Sequence, residues 1–285
     1  MSQTHASATN AETTSIEAPL TFIVPQDTKP YFESSALTGG EPKTHFKTQQ
    51  IDVEISDMRS LAGYLSLDRE GFELQRRQTE VVDFYDDVEV EEVYGREIES
   101  LLREALNADR VVVFDRTRRS DAPAGAANPD GSRGPASRVH VDYTDASGPV
   151  RADDALGAGE VERILAAGGR IVQVNVWRPI TGPVLRAPLA LADASSVARE
   201  ELVATDQVFP DRVGEIYQVA HGAAQRWYWA PEMERDEILL IKGWDSLDDG
   251  RARYTPHGAF VLPDQNPDAP ARESIEIRTF VVIEA

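Results

Sequence analysis

The second half of the chain is a succession of short apolar runs, and this pattern restricts the fold more than any other feature of the sequence. Glycine, proline or aspartate residues separate consecutive runs, as they do between the strands of an antiparallel sheet. The runs cover residues 170–179, 187–193, 215–220, 225–230, 237–245, 254–262 and 274–284. Many short strands with almost no helix between them favour a β-sandwich or barrel over a parallel α/β sheet.

The first half contributes further strands, two helical segments and one long loop. Residues 88–106 carry apolar side chains at steps of three and four, which predicts a surface helix packed on one face. A second helical segment is predicted at 150–169, where two glycines end it. The loop 116–137 is expected to act as a lid, because long loops without structure are usually disordered or functional. Extended segments are predicted at 20–24, 44–55, 71–75 and 110–115.

The N-terminal residues 1–18 are polar and lack both a basic start and an apolar core. They resemble neither a secretory signal nor a membrane anchor, and a disordered tail is predicted. No uninterrupted apolar stretch approaches the ~20 residues that span a bilayer. Since the remainder shows no internal repeat and no linker, residues 19–285 are predicted to form a single domain of a cytoplasmic protein.

Charge and cysteine content narrow the classes of partner and site. Lys plus Arg number 29 and Asp plus Glu number 49, so the formal net charge is −20, which repels nucleic acid and anionic membrane surfaces. Neither is expected as a partner. The chain has no cysteine, which excludes thiolate metal sites, catalytic thiols and disulfides. Any metal site must therefore use His, Asp or Glu ligands.

The segment "SRVHVDYT" places His140 and Asp142 two residues apart in an extended stretch. Residues i and i+2 of a strand point to the same face, so the pair could offer two neighbouring ligands to a metal ion. Alone, the pair is equally compatible with an ordinary strand histidine beside a solvated aspartate. A facial triad needs a second histidine, and the candidates outside the N-terminal region are His221 and His257.

Fifteen residues after His257, the segment "RESIEIR" begins with Arg272 and places Ser274 on the same face of a predicted strand. A guanidinium binds a carboxylate through two parallel hydrogen bonds, and a hydroxyl adds a third donor. The two residues are therefore candidates for anchoring a dicarboxylate. The order His-x-Asp, distant His, Arg-x-Ser is far more specific than any one of its parts.

This order resembles the non-haem Fe(II)/2-oxoglutarate-dependent oxygenases, whose core is a double-stranded β-helix, a jelly-roll barrel of the cupin kind. Over residues 70–285 the chain is similar to the hydroxylase/desaturase family of microbial secondary metabolism, which includes the cephamycin-pathway hydroxylase component and gibberellin-desaturase-like enzymes. The matching segments are "RVHVDYT", "VNVWRPI", "GPVLRAPLALAD", "DEILLIKGWDS", "TPHGAF" and "RESIEIR". One departure is Gly258, where a hydroxyl residue such as threonine is expected.

The resemblance implies a mainly β fold with flanking helices, in which His140, Asp142 and His257 hold Fe(II). Arg272 and Ser274 would then hold the far carboxylate of 2-oxoglutarate. With O2, such an enzyme releases succinate and CO2 and oxidises a small molecule by hydroxylation, desaturation or oxidative cyclisation. No catalytic residue beyond the metal centre is expected.

Three further residues, Asn175, Arg178 and Lys242, are candidate contacts to the substrate or the cosubstrate. His221, which precedes a glycine, is expected to be a surface or structural histidine. Two other functions stay open at this point: a non-catalytic binding or partner subunit with the same barrel, and a zinc hydrolase that uses the same ligands. The oligomeric state is equally open between a monomer, a homodimer and a complex with a partner protein.

Overall fold

The computed structural model describes residues 14–40, 42–129 and 131–285. Its α-helices are α1 (Ser35–Thr38), α2 (Asp87–Glu89), α3 (Gly95–Leu106), α4 (Ser147–Leu156) and α5 (Glu160–Ala166). Its strands are β1 (Ser15–Ile23), β2 (Tyr31–Glu33), β3 (Lys43–Thr44), β4 (Thr48–Asp57), β5 (Phe72–Arg76), β6 (Arg110–Ser120), β7 (His140–Val141), β8 (Arg170–Pro179), β9 (Leu189–Ala192), β10 (Leu202–Val208), β11 (Val213–Val219), β12 (Trp227–Trp229), β13 (Glu237–Asp245), β14 (His257–Ala259) and β15 (Glu273–Ile283).

The strands form two curled sheets that face each other, as in a double-stranded β-helix. The larger sheet has the strand order β1-β4-β12-β9-β14-β7-β11-β10-β2-β3. The smaller has the order β5-β13-β8-β15-β6 and is antiparallel throughout. The predicted mainly β jelly-roll barrel with flanking helices is confirmed.

A helix covers the outer face of the smaller sheet, and a β-hairpin covers the outer face of the larger sheet. On the smaller sheet, the apolar stripe of α3 packs against the outward side chains of β8 and β15, with Ile98 and Leu102 fully buried. On the larger sheet, the β1–β4 hairpin packs its own apolar side chains, such as Leu20 and Ile55, against the strands beneath. The helix predicted at 88–106 is confirmed, with a π-type turn at Val90–Tyr94 before α3.

Strand alternation on β15 separates an apolar outer face from a polar inner face. Ile275 and Ile277 belong to the core under α3, whereas Glu276 and Arg278 point into the barrel. The neighbouring strands β6 and β8 are in register with β15, so their inward residues continue this polar surface. Buried charged residues are rare in proteins, so a charged inner face of the barrel indicates a candidate functional site.

The predicted loop 116–137 and the predicted tail 1–18 are both shorter in the structure. Strand β6 runs to Ser120, so residues 116–120 of the predicted loop 116–137 belong to a strand. They continue the hydrogen-bond ladder between β6 and β15. Residues 15–18 of the predicted tail belong to β1, where Ala18 is buried opposite Val53; residues 1–13 lie outside the described part of the chain. None of the described helices combines the length and apolar content needed to cross a bilayer.

Candidate metal centre

His140, Asp142 and His257 meet at the inner face of the larger sheet. Strands β7 and β14 are adjacent and place His140 directly opposite His257. The imidazole rings are 4.6 Å apart between centroids, and the His140 Nε2 atom is 3.5 Å from Asp142 Oδ1. One ligand atom from each residue lies within 4.8 Å of the other two. Of the described residues, only this His/Cys/Asp/Glu cluster has a spacing that could hold a metal ion.

Backbone carbonyls orient both imidazoles in the same way. His140 Nδ1 is 2.9 Å from the carbonyl oxygen of Arg138, and His257 Nδ1 is 3.0 Å from that of Thr255. A proton on each Nδ1 satisfies these bonds and leaves each Nε2 lone pair for a metal. Burial, followed by the neighbouring His140, lowers the pKa of His257 to about 4, so this ring is neutral at pH 7, the form that binds metals.

The carboxylate of Asp142 is held as an anion. Burial alone would raise the pKa of Asp142, but the charge of Arg278 and the contact with His140 outweigh burial and hold it well below the ordinary value. Asn175 Nδ2 donates to Asp142 Oδ2 over 2.6 Å. Two imidazoles and one carboxylate on one face make a donor set that suits Fe(II) and leaves open coordination positions.

Arg272 lies at one side of the same cavity and has unused hydrogen-bond donors. Its Nη1 donates to the Ala187 carbonyl over 2.9 Å, while Nε and Nη2 are buried with no hydrogen-bond partner among the described residues. The guanidinium lies 5.8 Å from the ring of Trp177. Burial, and then the neighbouring Arg119, lower the pKa of Arg272 to about 10. A buried cation with spare N–H groups calls for an anionic ligand.

The cavity between these groups is small. It is lined by His140, His257, Arg272 and Trp177, among others, and its volume of about 10 Å³ is room for roughly one water molecule. Ser274 shares the inward face of β15 but is not part of the lining. A ligand as large as a dicarboxylate therefore requires movement of the surrounding side chains or loops.

Of the other candidates, Asn175 reaches the cluster and the rest do not. Arg178 points to the outer face of β8, where it donates to Tyr94 Oη and to the carbonyls of Arg77 and Arg235. Lys242 is fully buried elsewhere and has its own partners. His221 is exposed and packs edge-on against Phe22 of β1.

Three charged residues at the cavity are not among the site residues predicted from the sequence: Arg119, Glu276 and Arg278. The period-2 rule that paired Arg272 with Ser274 extends to Glu276 and Arg278 in the same segment and would have found both. Arg119 is opposite Ser274 in the β6–β15 register. No local signal reveals that pairing, because it joins residues far apart in the chain.

Comparisons with known proteins found relatives that match most of the chain. A family model described as "YDMC: Oxidoreductase/YMDC permease-like domain" matches residues 20–282. The hydroxylase/desaturase efuI of Hormonema carpetanum is 33% identical over 272 residues, which cover 86% of this chain and 87% of the relative. The alpha-ketoglutarate-dependent dioxygenase phiK of a fungal species is 31% identical over 95% of this chain and 98% of its own.

The chain belongs to the hydroxylase/desaturase family of Fe(II)/2-oxoglutarate-dependent oxygenases. The solved structure of the iron and alpha-ketoglutarate-dependent endoperoxidase NvfI has a TM-score of 0.82 to this structure at 26% identity, covering 96% of this chain and 100% of that one. This oxygenase is therefore an oxidoreductase whose cofactors are Fe(II), 2-oxoglutarate and O2.

Proposed function

We propose that His140, Asp142 and His257 are the Fe(II) ligands of this oxygenase, and that Arg272 with Ser274 binds the distal carboxylate of 2-oxoglutarate. The convergence of the three ligand atoms within 4.8 Å carries the first assignment. The unpartnered Nε and Nη2 of Arg272 support the second. Three protein ligands leave three octahedral positions, enough for a bidentate keto acid and O2.

The substrate is proposed to be a small secondary metabolite. When bound, iron and 2-oxoglutarate supply the oxidising chemistry, which releases succinate and CO2 and oxidises the substrate by hydroxylation, desaturation or ring formation. The relatives are named for hydroxylation, desaturation and endoperoxidation, all of them oxidations of this kind. The cytoplasmic location, and any homodimer or partner protein, stay predictions.

The protein's own residues bind the keto acid, orient the metal ligands and shield the cavity from water. The carbonyls of Arg138 and Thr255 hold the Nδ1 protons and present both Nε2 atoms to one point. Trp177 and Leu189 line the cavity with apolar surface, which limits the access of water to the reacting centre. Arg272 binds the distal carboxylate at one side of the cavity and so aligns the keto acid.

The ligand assignment is tested by iron titration and succinate formation in the absence of air and then with O2. His140→Ala, Asp142→Ala and His257→Ala should each lose iron binding and turnover, while His221→Ala retains both. If His257→Ala bound iron as well as the wild type, the ligand assignment would be wrong. Zinc in place of iron in anaerobically purified protein, together with hydrolysis and no succinate, would favour the zinc hydrolase.

A further inference from the structure

The two oxygens of Asp142 have different surroundings. Oδ2 accepts a hydrogen bond from Asn175 Nδ2 over 2.6 Å and a second from Arg278 Nε over 3.1 Å. Oδ1 is 3.5 Å from His140 Nε2, on the side where the three ligand atoms converge. One oxygen is therefore saturated by protein donors, and the other is left toward the metal position.

The two donors are built into neighbouring strands. Arg278 of β15 and Asn175 of β8 are direct register partners, so both reach Asp142 from the smaller sheet, across the barrel from β7. Gln173 Nε2 donates to Asn175 Oδ1 over 2.6 Å, which fixes the orientation of the Asn175 amide with its NH2 group toward Asp142. Gln173 is fully buried and Asn175 likewise, so the chain of amides has little freedom to rearrange.

Arg278 is in turn held by other carboxylates. Its Nη1 donates to Asp115 Oδ2 over 2.5 Å, and its Nη2 forms an ion pair with Glu276. A guanidinium has donors for three separate partners, whereas an ammonium group would approach one or two of them. The Arg278 side chain therefore presents only Nε to Asp142, in a direction set by the other two contacts.

We propose that Asn175 and Arg278 are positioning residues that occupy Oδ2 of Asp142 with hydrogen bonds, so that Asp142 binds the metal through Oδ1 alone. We call these two hydrogen bonds the Asp142 clamp, and the affinity for the metal depends on this clamp. The inference rests on the proposed ligand set. It assigns to Asn175 a role toward the metal ligand in place of the predicted contact to substrate or cosubstrate. Residues that orient metal ligands in this way typically change metal affinity by about 10–100-fold when removed.

Co(II) in anaerobic buffer is the probe, since its binding can be followed by calorimetry and its absorption spectrum reports the coordination geometry without turnover. Asn175→Leu removes the donor at similar volume and should weaken Co(II) binding by about 10–100-fold with a changed spectrum. Arg278→Lys keeps the positive charge but loses the planar fork, so a smaller loss is expected.

Gly243→Ala tests the same clamp without altering either donor. A Cβ at Gly243 would lie 1.9 Å from Gln173 Oε1, so the end of the Gln173 side chain must move, and we expect this movement to weaken its hydrogen bond to the Asn175 amide. A loss of Co(II) affinity in the same direction as Asn175→Leu is expected. Thr279→Val is the matched control, because Thr279 is buried beside Arg278 but faces outward and donates to the Val174 carbonyl. Its Co(II) affinity and spectrum should match the wild type.

The outcomes separate this inference from the ligand assignment. If the wild type itself binds no Co(II), the proposed ligand set fails. If the wild type binds and the folded Asn175→Leu and Gly243→Ala proteins keep its affinity within twofold and its spectrum, the clamp is refuted. Equal losses in Thr279→Val would refute it as well, since they would reflect strand packing. A cooperative thermal unfolding transition of each metal-free variant shows that the variant is folded. If Asn175→Leu does not fold, the Co(II) affinities of Arg278→Lys and Gly243→Ala decide whether the clamp exists.

Discussion

Replacing Arg272 with leucine should weaken the use of 2-oxoglutarate and stabilise the ligand-free protein at once. The buried guanidinium has two nitrogens without hydrogen-bond partners among the described residues, Nε and Nη2. In the proposed complex these donate to the distal carboxylate. A charge-assisted hydrogen bond contributes about 1.5 kcal/mol or more. Losing two of them corresponds to about 3 kcal/mol, or a rise of roughly 100-fold in the KM for 2-oxoglutarate.

The effect on stability has the opposite sign. Burial, with Arg119 nearby, lowers the pKa of Arg272 to about 10, so the charged form is less favourable in the folded than in the unfolded protein. The unfolded chain therefore binds this proton more strongly at pH 7, and the charge opposes folding by at most about 3 kcal/mol. Leucine removes this cost but also the bond to the Ala187 carbonyl. A net rise in Tm of roughly 2–5 °C is expected.

The assay is succinate formation against 2-oxoglutarate concentration, together with iron titration and thermal unfolding of the metal-free protein. Arg178→Leu is the matched control, since Arg178 is equally buried but satisfied on the outer face of β8. It should lower Tm and leave the KM for 2-oxoglutarate unchanged. Arg272→Lys should recover the cosubstrate only in part, because an ammonium lacks the planar fork. A normal KM with a lowered Tm in Arg272→Leu would show that Arg272 is structural and refute the reasoning.

Three further predictions concern Lys242, Asp68 and the segment 121–137. Lys242→Met removes a buried cation that donates to Asp68, Asp245 and the Ala252 carbonyl. The free energy of unfolding in urea should fall by about 3 kcal/mol, with the KM for 2-oxoglutarate unaltered, and a fall below about 1 kcal/mol would contradict this prediction. Burial would raise the pKa of Asp68, but hydrogen bonds from Arg170 and Lys242 lower it to about 2. The ionised Asp68 carboxylate therefore stabilises the folded protein, by about 1 kcal/mol because the side chain is partly exposed. This contribution is present above about pH 4 and lost toward pH 2, so the free energy of unfolding of Asp68→Asn should change less between pH 5 and 2.5 than that of the wild type. Proteolysis within 121–137 should slow when metal and 2-oxoglutarate are added under nitrogen, because Ala136 lines the cavity; unchanged cleavage would exclude a lid.

The strands, and the placing of His140 and Asp142 on one face, could be predicted because their signals are local. The runs at 170–179 and 237–245 coincide with β8 and β13, since fully buried strands read as continuous apolar stretches bounded by turn residues. His140 and Asp142 share a face through the period-2 rule, which requires no knowledge of the fold. The prediction of His257 rather than His221 used the position of Arg272 downstream, and of these two histidines it is His257 that lies in the cluster.

Residues whose roles depend on long-range pairing could not be predicted. Lys242 stands in an apolar run, and its partner Asp68 is 174 residues away in sequence. Arg178 was a candidate contact although the alternation along β8 turns it outward, toward Tyr94 in the helical segment. The strand β10 was missed because its sequence, LVATDQV, alternates weakly and was not distinguished from a loop.

Two guanidinium groups along β15, those of Arg278 and Arg272, have different electrostatic surroundings. Arg278 is surrounded by Asp115, Asp142 and Glu276, so its charge is balanced by the protein itself, and burial does not prevent these carboxylates from raising its pKa well above the ordinary value. At the other end of the strand, the side chains of Arg272 and Arg119 each donate to a single backbone carbonyl, and neither forms an ion pair within the described part of the chain. The cavity is therefore short of negative charge at the Arg272 end alone. In the complex that we propose, the dianion 2-oxoglutarate would correct that imbalance in one orientation, with its distal carboxylate at Arg272 and its keto acid end toward His140 and His257.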